Sequence, residues 1–136
     1  MQRIMGLDLG NKTIGVAISD SLGITAQGHE VLHREGNEKD LHRLSEIIVA
    51  YDVDTIVIGM PKNMNNTIGP QGEITLAFAN ELQQHTSCKI VFWDERLTTK
   101  AAKRQLQAGG LREKQSRKII DMVAATLILQ SYLDSQ

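Results

Sequence analysis

The feature that most constrains this chain is a change of hydrophobic period between His33 and Asn37. Before it, three short apolar runs follow one another closely: RIMGLDL (3–9), TIGVAIS (13–19) and ITAQGHEVLH (24–33). Gly10-Asn11-Lys12 separates the first pair and Asp20-Ser21-Leu22-Gly23 the second, both turn-forming stretches. Three strands joined by tight turns make an antiparallel meander. After it, in NEKDLHRLSEIIVAYD, Leu41, Leu44, Ile47, Ile48 and Tyr51 recur at helical spacing.

The alternation then continues. TIVIG (55–59) reads as a buried strand, ended by Gly59-Met60-Pro61. A polar loop, KNMNNTIG (62–69), leads to Pro70, which suits the first turn of a helix. That helix runs to about His85, with Ile74, Ala77, Phe78 and Leu82 on one face. KIVFW (89–93) is a fifth strand. Thr98 or Thr99 can cap a further helix that Gly109-Gly110 stops, and a last helix spans about Glu113 to Leu133. Strands joined through helices run parallel with right-handed crossovers. The expectation is one α/β domain over residues 1–136, with a mixed five-stranded sheet flanked by helices. This is the ribonuclease H-like architecture; its strand order, 3-2-1-4-5, comes from that fold rather than from the residues.

Composition excludes several classes. The single cysteine, Cys88, forms neither an internal disulfide nor a cysteine-rich metal site. No apolar run reaches membrane-spanning length, and MQRIMGLDLG lacks the apolar core of a secretory signal. A cytoplasmic protein with no membrane partner is expected. Net charge is −1, but residues 96–118 hold Arg96, Lys100, Lys103, Arg104, Arg112, Lys114, Arg117 and Lys118 against one acid, Glu113. A solvated helix face explains a basic run, and so does a phosphate-backbone site. Neighbouring chemistry decides between them.

Three carboxylates stand out. Asp8 lies inside an apolar strand, and Gly6 and Gly10 share its face by alternation. It is either a turn-initiating residue or a functional carboxylate on an open, side-chain-poor patch, since strand glycines mark close approach by a ligand or another backbone. Asp121 interrupts a helix that is apolar almost all round from Ile119 to Leu129. A buried carboxylate must pair, bind metal or face a cavity; Lys118, one turn earlier, is one available partner. Ala124 and Ala125 would let that face approach the sheet. Glu95 lies just past the fifth strand, and ligands collect at the carboxyl ends of parallel strands. Three acids without histidine or thiolate partners suit Mg²⁺ or Mn²⁺. The histidines at 29, 33, 42 and 85 lack metal-ligand spacing. Asn63, Asn65, Asn66, Thr67 and Gly69 precede a helix N-terminus, where backbone amides can take a phosphate; a plain polar loop has the same look.

Four pieces in order, GLDLGNKTIGVAISD (6–20), IVIGMPKNMNNTIGPQG (56–72), WDERLTT (93–99) and KIIDMVAATLILQSYLD (118–134), resemble the YqgF/RuvX family of Holliday-junction-resolvase-like, pre-16S rRNA nucleases over essentially the whole chain. The resemblance implies Asp8, Glu95 and Asp121 as a metal-binding catalytic triad. It implies hydrolysis of phosphodiester bonds, at the 5′ end of precursor 16S rRNA, in contact with ribosomal particles. Arg96, Lys100, Lys103, Arg104, Arg117, Lys118, Asn63 and Asn65 are then the nucleic-acid-binding residues. Resolvase relatives often carry a fourth acidic or metal-competent residue one turn before the last Asp. Here that position is Lys118, which leaves one or two metals open. Branched DNA is the alternative substrate, and a non-catalytic RNA-binding assembly factor the alternative function. GLDLGNKTIGV also resembles the phosphate loop of sugar kinases and actin, but those proteins clamp nucleotide between two such lobes and 136 residues supply one.

Overall fold

The structure is a computed structural model and describes residues 3–62, 65, 67–94 and 113–136, with backbone alone for 113–121. The strands are β1 (Arg3–Leu9), β2 (Thr13–Ser19), β3 (Ala26–His33), β4 (Val53–Met60) and β5 (Lys89–Asp94). The described helices are α1 (Asn37–Tyr51), α2 (Pro70–His85) and α3 (Glu113–Asp134). The strands form one sheet in the order β3-β2-β1-β4-β5. β1 and β2 pair antiparallel, as do β2 and β3, while β1–β4 and β4–β5 are parallel. The expected meander and strand order are both present. The helix expected between Thr98 and Gly109 lies outside the described residues.

Local chemistry sets the element ends. Gly10 N–H donates to the Thr13 carbonyl at 2.8 Å, closing the first turn. In the second, the Asp20 carboxylate accepts from the amides of Ile24 at 2.8 Å and Thr25 at 3.3 Å, with Gly23 at φ +70°. Those two amides are held by the loop, so β3 begins at Ala26 rather than Ile24. Asp52 adopts a left-handed conformation at the end of α1, and its amide bonds the carbonyls of Ile48 and Val49. The chain therefore enters β4 at Val53, two residues before the apolar run suggested.

Both faces of the sheet are covered, so the strands read as apolar runs without clean alternation. On one side Met5, Leu7, Ile14, Val16, Ile56 and Ile58 pack against Leu44 and Ile47 of α1 and Phe78 and Leu82 of α2. On the other, Ala17 and Val57 meet Ala125, Ile128, Leu129 and Leu133 of α3. This second side is built on small residues. Gly6 pairs with Ala17 and Ala17 with Gly28, a row across β1, β2 and β3. A Cβ on Gly6 would sit 2.7 Å from Leu129 Cβ and 3.0 Å from the Ala125 carbonyl oxygen. The helix lies in a trough that only glycine and alanine leave open.

Candidate metal and nucleic-acid site

Asp8 is the penultimate residue of β1 and half-buried. It shares the α3 side of the sheet with Gly6 by alternation. Gly6 is not part of an open patch: Ala125 and Leu129 lie directly on it. The close approach signalled by that glycine is made by another backbone, the helix. Gly10 serves the turn, where a Cβ would stand 3.1 Å from the Thr13 carbonyl oxygen. Glycines also flank Asp8 on the neighbouring strands. Its partner on β2 is Gly15. On β4 the pairing runs to Leu7–Ile58, so Gly59 is the next residue beside it. Neither neighbour projects a side chain toward the carboxylate. A carboxylate oxygen is the donor type a hard divalent cation takes.

The direction of α3 places position 121. Gln130 reaches the start of β3, accepting from the Ala26 amide and donating to the Ile24 carbonyl, each at 2.9 Å. Met122 lies further along the same strand, over Gly28. The helix therefore falls as β3 rises, and β1 runs the same way as β3. From the Gly6–Ala125 contact, Asp8 lies two residues up the strand, about 6.6 Å. Position 121 lies one turn back along the helix, about 6 Å. Both displacements lead toward the carboxyl end of β1.

The remaining expected residues fall as follows. β5 ends at Asp94, opposite Met60, at the same carboxyl end of the parallel strands as Asp8. Glu95, Arg96, Lys100, Lys103, Arg104 and Asn63 lie outside the described residues, as do the side chains of Arg117, Lys118 and Asp121. No group of three or more metal-competent side chains forms among the described residues, which include one of the three acids. Asn65 is described, and its Oδ1 accepts from the Thr67 amide at 3.3 Å and the Thr67 hydroxyl at 2.6 Å. That oxygen folds the loop. Trp93 marks the α3 side of β5: its Nε1 donates to Ser131 Oγ at 3.0 Å, and its ring meets Tyr132 edge-on at 5.8 Å. Residue patterns missed Gly15 and Gly59, because pairing register alone reveals them.

A mixed sheet of order 3-2-1-4-5 with helices on both faces defines the ribonuclease H-like class. Solved structures share it. RuvC of T. thermophilus in complex with Holliday junction substrate has a TM-score of 0.60 at 11% identity, covering 99% of this chain and 98% of that one. Fowlpox virus resolvase in complex with junction DNA has a TM-score of 0.59 at 14% identity, covering 98% of each chain. At these identities the likeness is one of fold. Within that class the chain belongs to the RuvX family, described as Holliday junction resolvase, whose model matches residues 2–135. It is 53% identical over 133 residues to a protein of Desulforamulus reducens, covering 98% of this chain and 97% of that protein. It is 54% identical over 132 residues to one of Clostridium botulinum, covering 97% and 96%. Both relatives carry the name "Putative pre-16S rRNA nuclease".

Proposed function

We propose that this chain is a single-domain, metal-dependent nuclease that hydrolyses phosphodiester bonds at the 5′ end of precursor 16S rRNA. The observation that carries the reading is the seating of α3 on Gly6, which directs Asp8 and position 121 toward one end of β1. Glu95, the residue after Asp94 in sequence, is the third acid of this reading. Asp8, Glu95 and Asp121 would hold Mg²⁺ or Mn²⁺, which when bound supplies Lewis acidity and an activated water. The carboxylates would bind and orient the metal, and Gly15 and Gly59 add no side chain of their own beside Asp8.

Arg96, Lys100, Lys103 and Arg104 follow Glu95 in sequence, Arg117 and Lys118 precede Asp121, and all six would neutralise flanking phosphates. Aromatic residues are 4% of the chain, so stacking on bases is limited and binding reads backbone and shape. Ribosomal particles in the cytoplasm are the setting this reading requires. The names carried by the curated relatives support it.

A second reading is resolution of branched DNA, favoured by the family's description. Cleavage of precursor rRNA and of a four-way DNA junction, each across a Mg²⁺ titration with a chelator blank, separates the two. Metal-dependent cleavage of the RNA in preference to the junction is expected. Preference for the junction would transfer the function to DNA, and cleavage that survives the chelator would remove the metal.

A further inference from the structure

Asp40 is 3% exposed, in the first turn of α1, and belongs to neither the acidic triad nor the basic segment. Its Oδ2 accepts from Arg34 Nε at 3.2 Å and its Oδ1 from the Glu35 amide at 3.2 Å. Arg34 uses the rest of its fork as well. Nη1 donates to the Gly10 carbonyl at 3.3 Å, and Nη2 to Asn37 Oδ1 at 2.7 Å. Its guanidinium lies 5.4 Å from the centre of the Phe78 ring in α2. From the side of α2, Gln71 Nε2 donates to the Leu9 carbonyl at 3.4 Å.

These contacts converge on one place. Leu9 and Gly10 are the two residues immediately after Asp8, and their consecutive carbonyls are held by side chains from outside β1 and its partners. β1 ends at Leu9, and Gly10 beyond it has more backbone freedom than any other residue; its amide is held by the Thr13 carbonyl and its own carbonyl by Arg34. A buried ion pair is a poor way to gain stability, because desolvation offsets most of its attraction. It is a good way to fix geometry, because a guanidinium presents its donors in a rigid fork.

We propose that Arg34, locked by Asp40, is a positioning residue for Asp8 in the nuclease reaction. The proposal rests on Asp8 being a metal ligand. Groups that orient metal ligands change metal affinity by about 10- to 100-fold when removed.

The test is calorimetric titration of the full chain with Mn²⁺ alone, below the unfolding temperature of every variant. Arg34→Met is expected to weaken Mn²⁺ binding by about 10-fold or more. Arg34→Lys is expected to restore only part of it, since one ammonium cannot span Asp40, Gly10 and Asn37 together. Asp40→Asn keeps the shape of the site and provides the same test should Arg34→Met fail to fold; it too should bind more weakly. Leu82→Ala, a core truncation in α2, should lower stability and leave Mn²⁺ affinity unchanged. Wild-type affinity in either Arg34→Met or Asp40→Asn overturns the proposal, as does equal weakening in Leu82→Ala. Asp8→Asn separates the two levels. If it abolishes Mn²⁺ binding while Arg34→Met does not weaken it, only the positioning role fails. If Asp8→Asn binds Mn²⁺ normally, the metal-site reading itself fails.

Discussion

Replacing Gly6 by alanine tests the contact on which the site depends. The added methyl would meet Leu129 Cβ at 2.7 Å and the Ala125 carbonyl oxygen at 3.0 Å. Carbon atoms pack best at about 3.5–4.0 Å, so α3 must lift by about 1 Å. Neither obstacle can rotate away, since one is backbone and the other a Cβ. Overpacking of this kind costs about 1–3 kcal/mol. Alanine's smaller unfolded-state entropy offsets about 0.4–1 kcal/mol. Strain wins, and the net loss is about 0.5–2 kcal/mol, or a fall in Tm of about 2–10 °C for a domain of this size. A 1 Å displacement of position 121 relative to Asp8 also costs up to about 100-fold in cleavage at temperatures where the variant is folded. Gly28→Ala is the control. The three atoms its methyl would meet first all belong to the Met122 side chain, with Cγ at 2.7 Å, and a change of rotamer can withdraw them where backbone cannot, so its effect should be smaller. Thermal melts followed by circular dichroism, with cleavage measured well below both midpoints, read the two effects. Wild-type Tm and activity in Gly6→Ala, or a larger loss in Gly28→Ala, would refute the seating of α3.

Asp20 gives a pH signature. The amide hydrogen bond from Ile24 holds its carboxyl below the ordinary value of 3.8. A depressed folded-state pKa contributes stability that is full above the unfolded value and lost as pH falls through the folded one. The stability difference between wild type and Asp20→Ala should therefore be constant near neutrality and shrink below about pH 4 in denaturant titrations; a difference that grows on acidification contradicts the assignment. Within the basic segment, Lys103→Ala should weaken RNA binding across sequences. It should also flatten the dependence of log affinity on log salt by about 0.7–1. An unchanged salt slope would remove Lys103 from the interface.

The sheet was largely legible because short apolar runs between turn residues have few alternatives. The meander, the parallel strands and α2 follow from hydrophobic period and from Pro70. Element starts were less legible where side chains compete for backbone amides. Asp20 delays β3, and the left-handed Asp52 advances β4. Asp8 stood out because a carboxylate in an apolar strand is costly. Its surroundings did not, because they come from register. Gly15 and Gly59 are distant in sequence and adjacent only once β2 and β4 pair with β1. Gly6 was legible as a close approach, but the approaching group was a helix more than a hundred residues later. Arg34 and Asp40 gave no signal at all. An arginine and an aspartate six residues apart, across a strand–helix junction, look like ordinary surface charge until the fold buries the aspartate and half-buries the arginine.

The most direct test of the central claim is the Mg²⁺ dependence of precursor rRNA cleavage in Asp8→Asn beside wild type. Asparagine keeps the size and shape of the side chain but removes the charge that a hard cation requires. The account predicts no metal-dependent cleavage in the variant, with the circular dichroism spectrum of the folded protein retained. Cleavage by folded Asp8→Asn at the wild-type rate and Mg²⁺ requirement would contradict it.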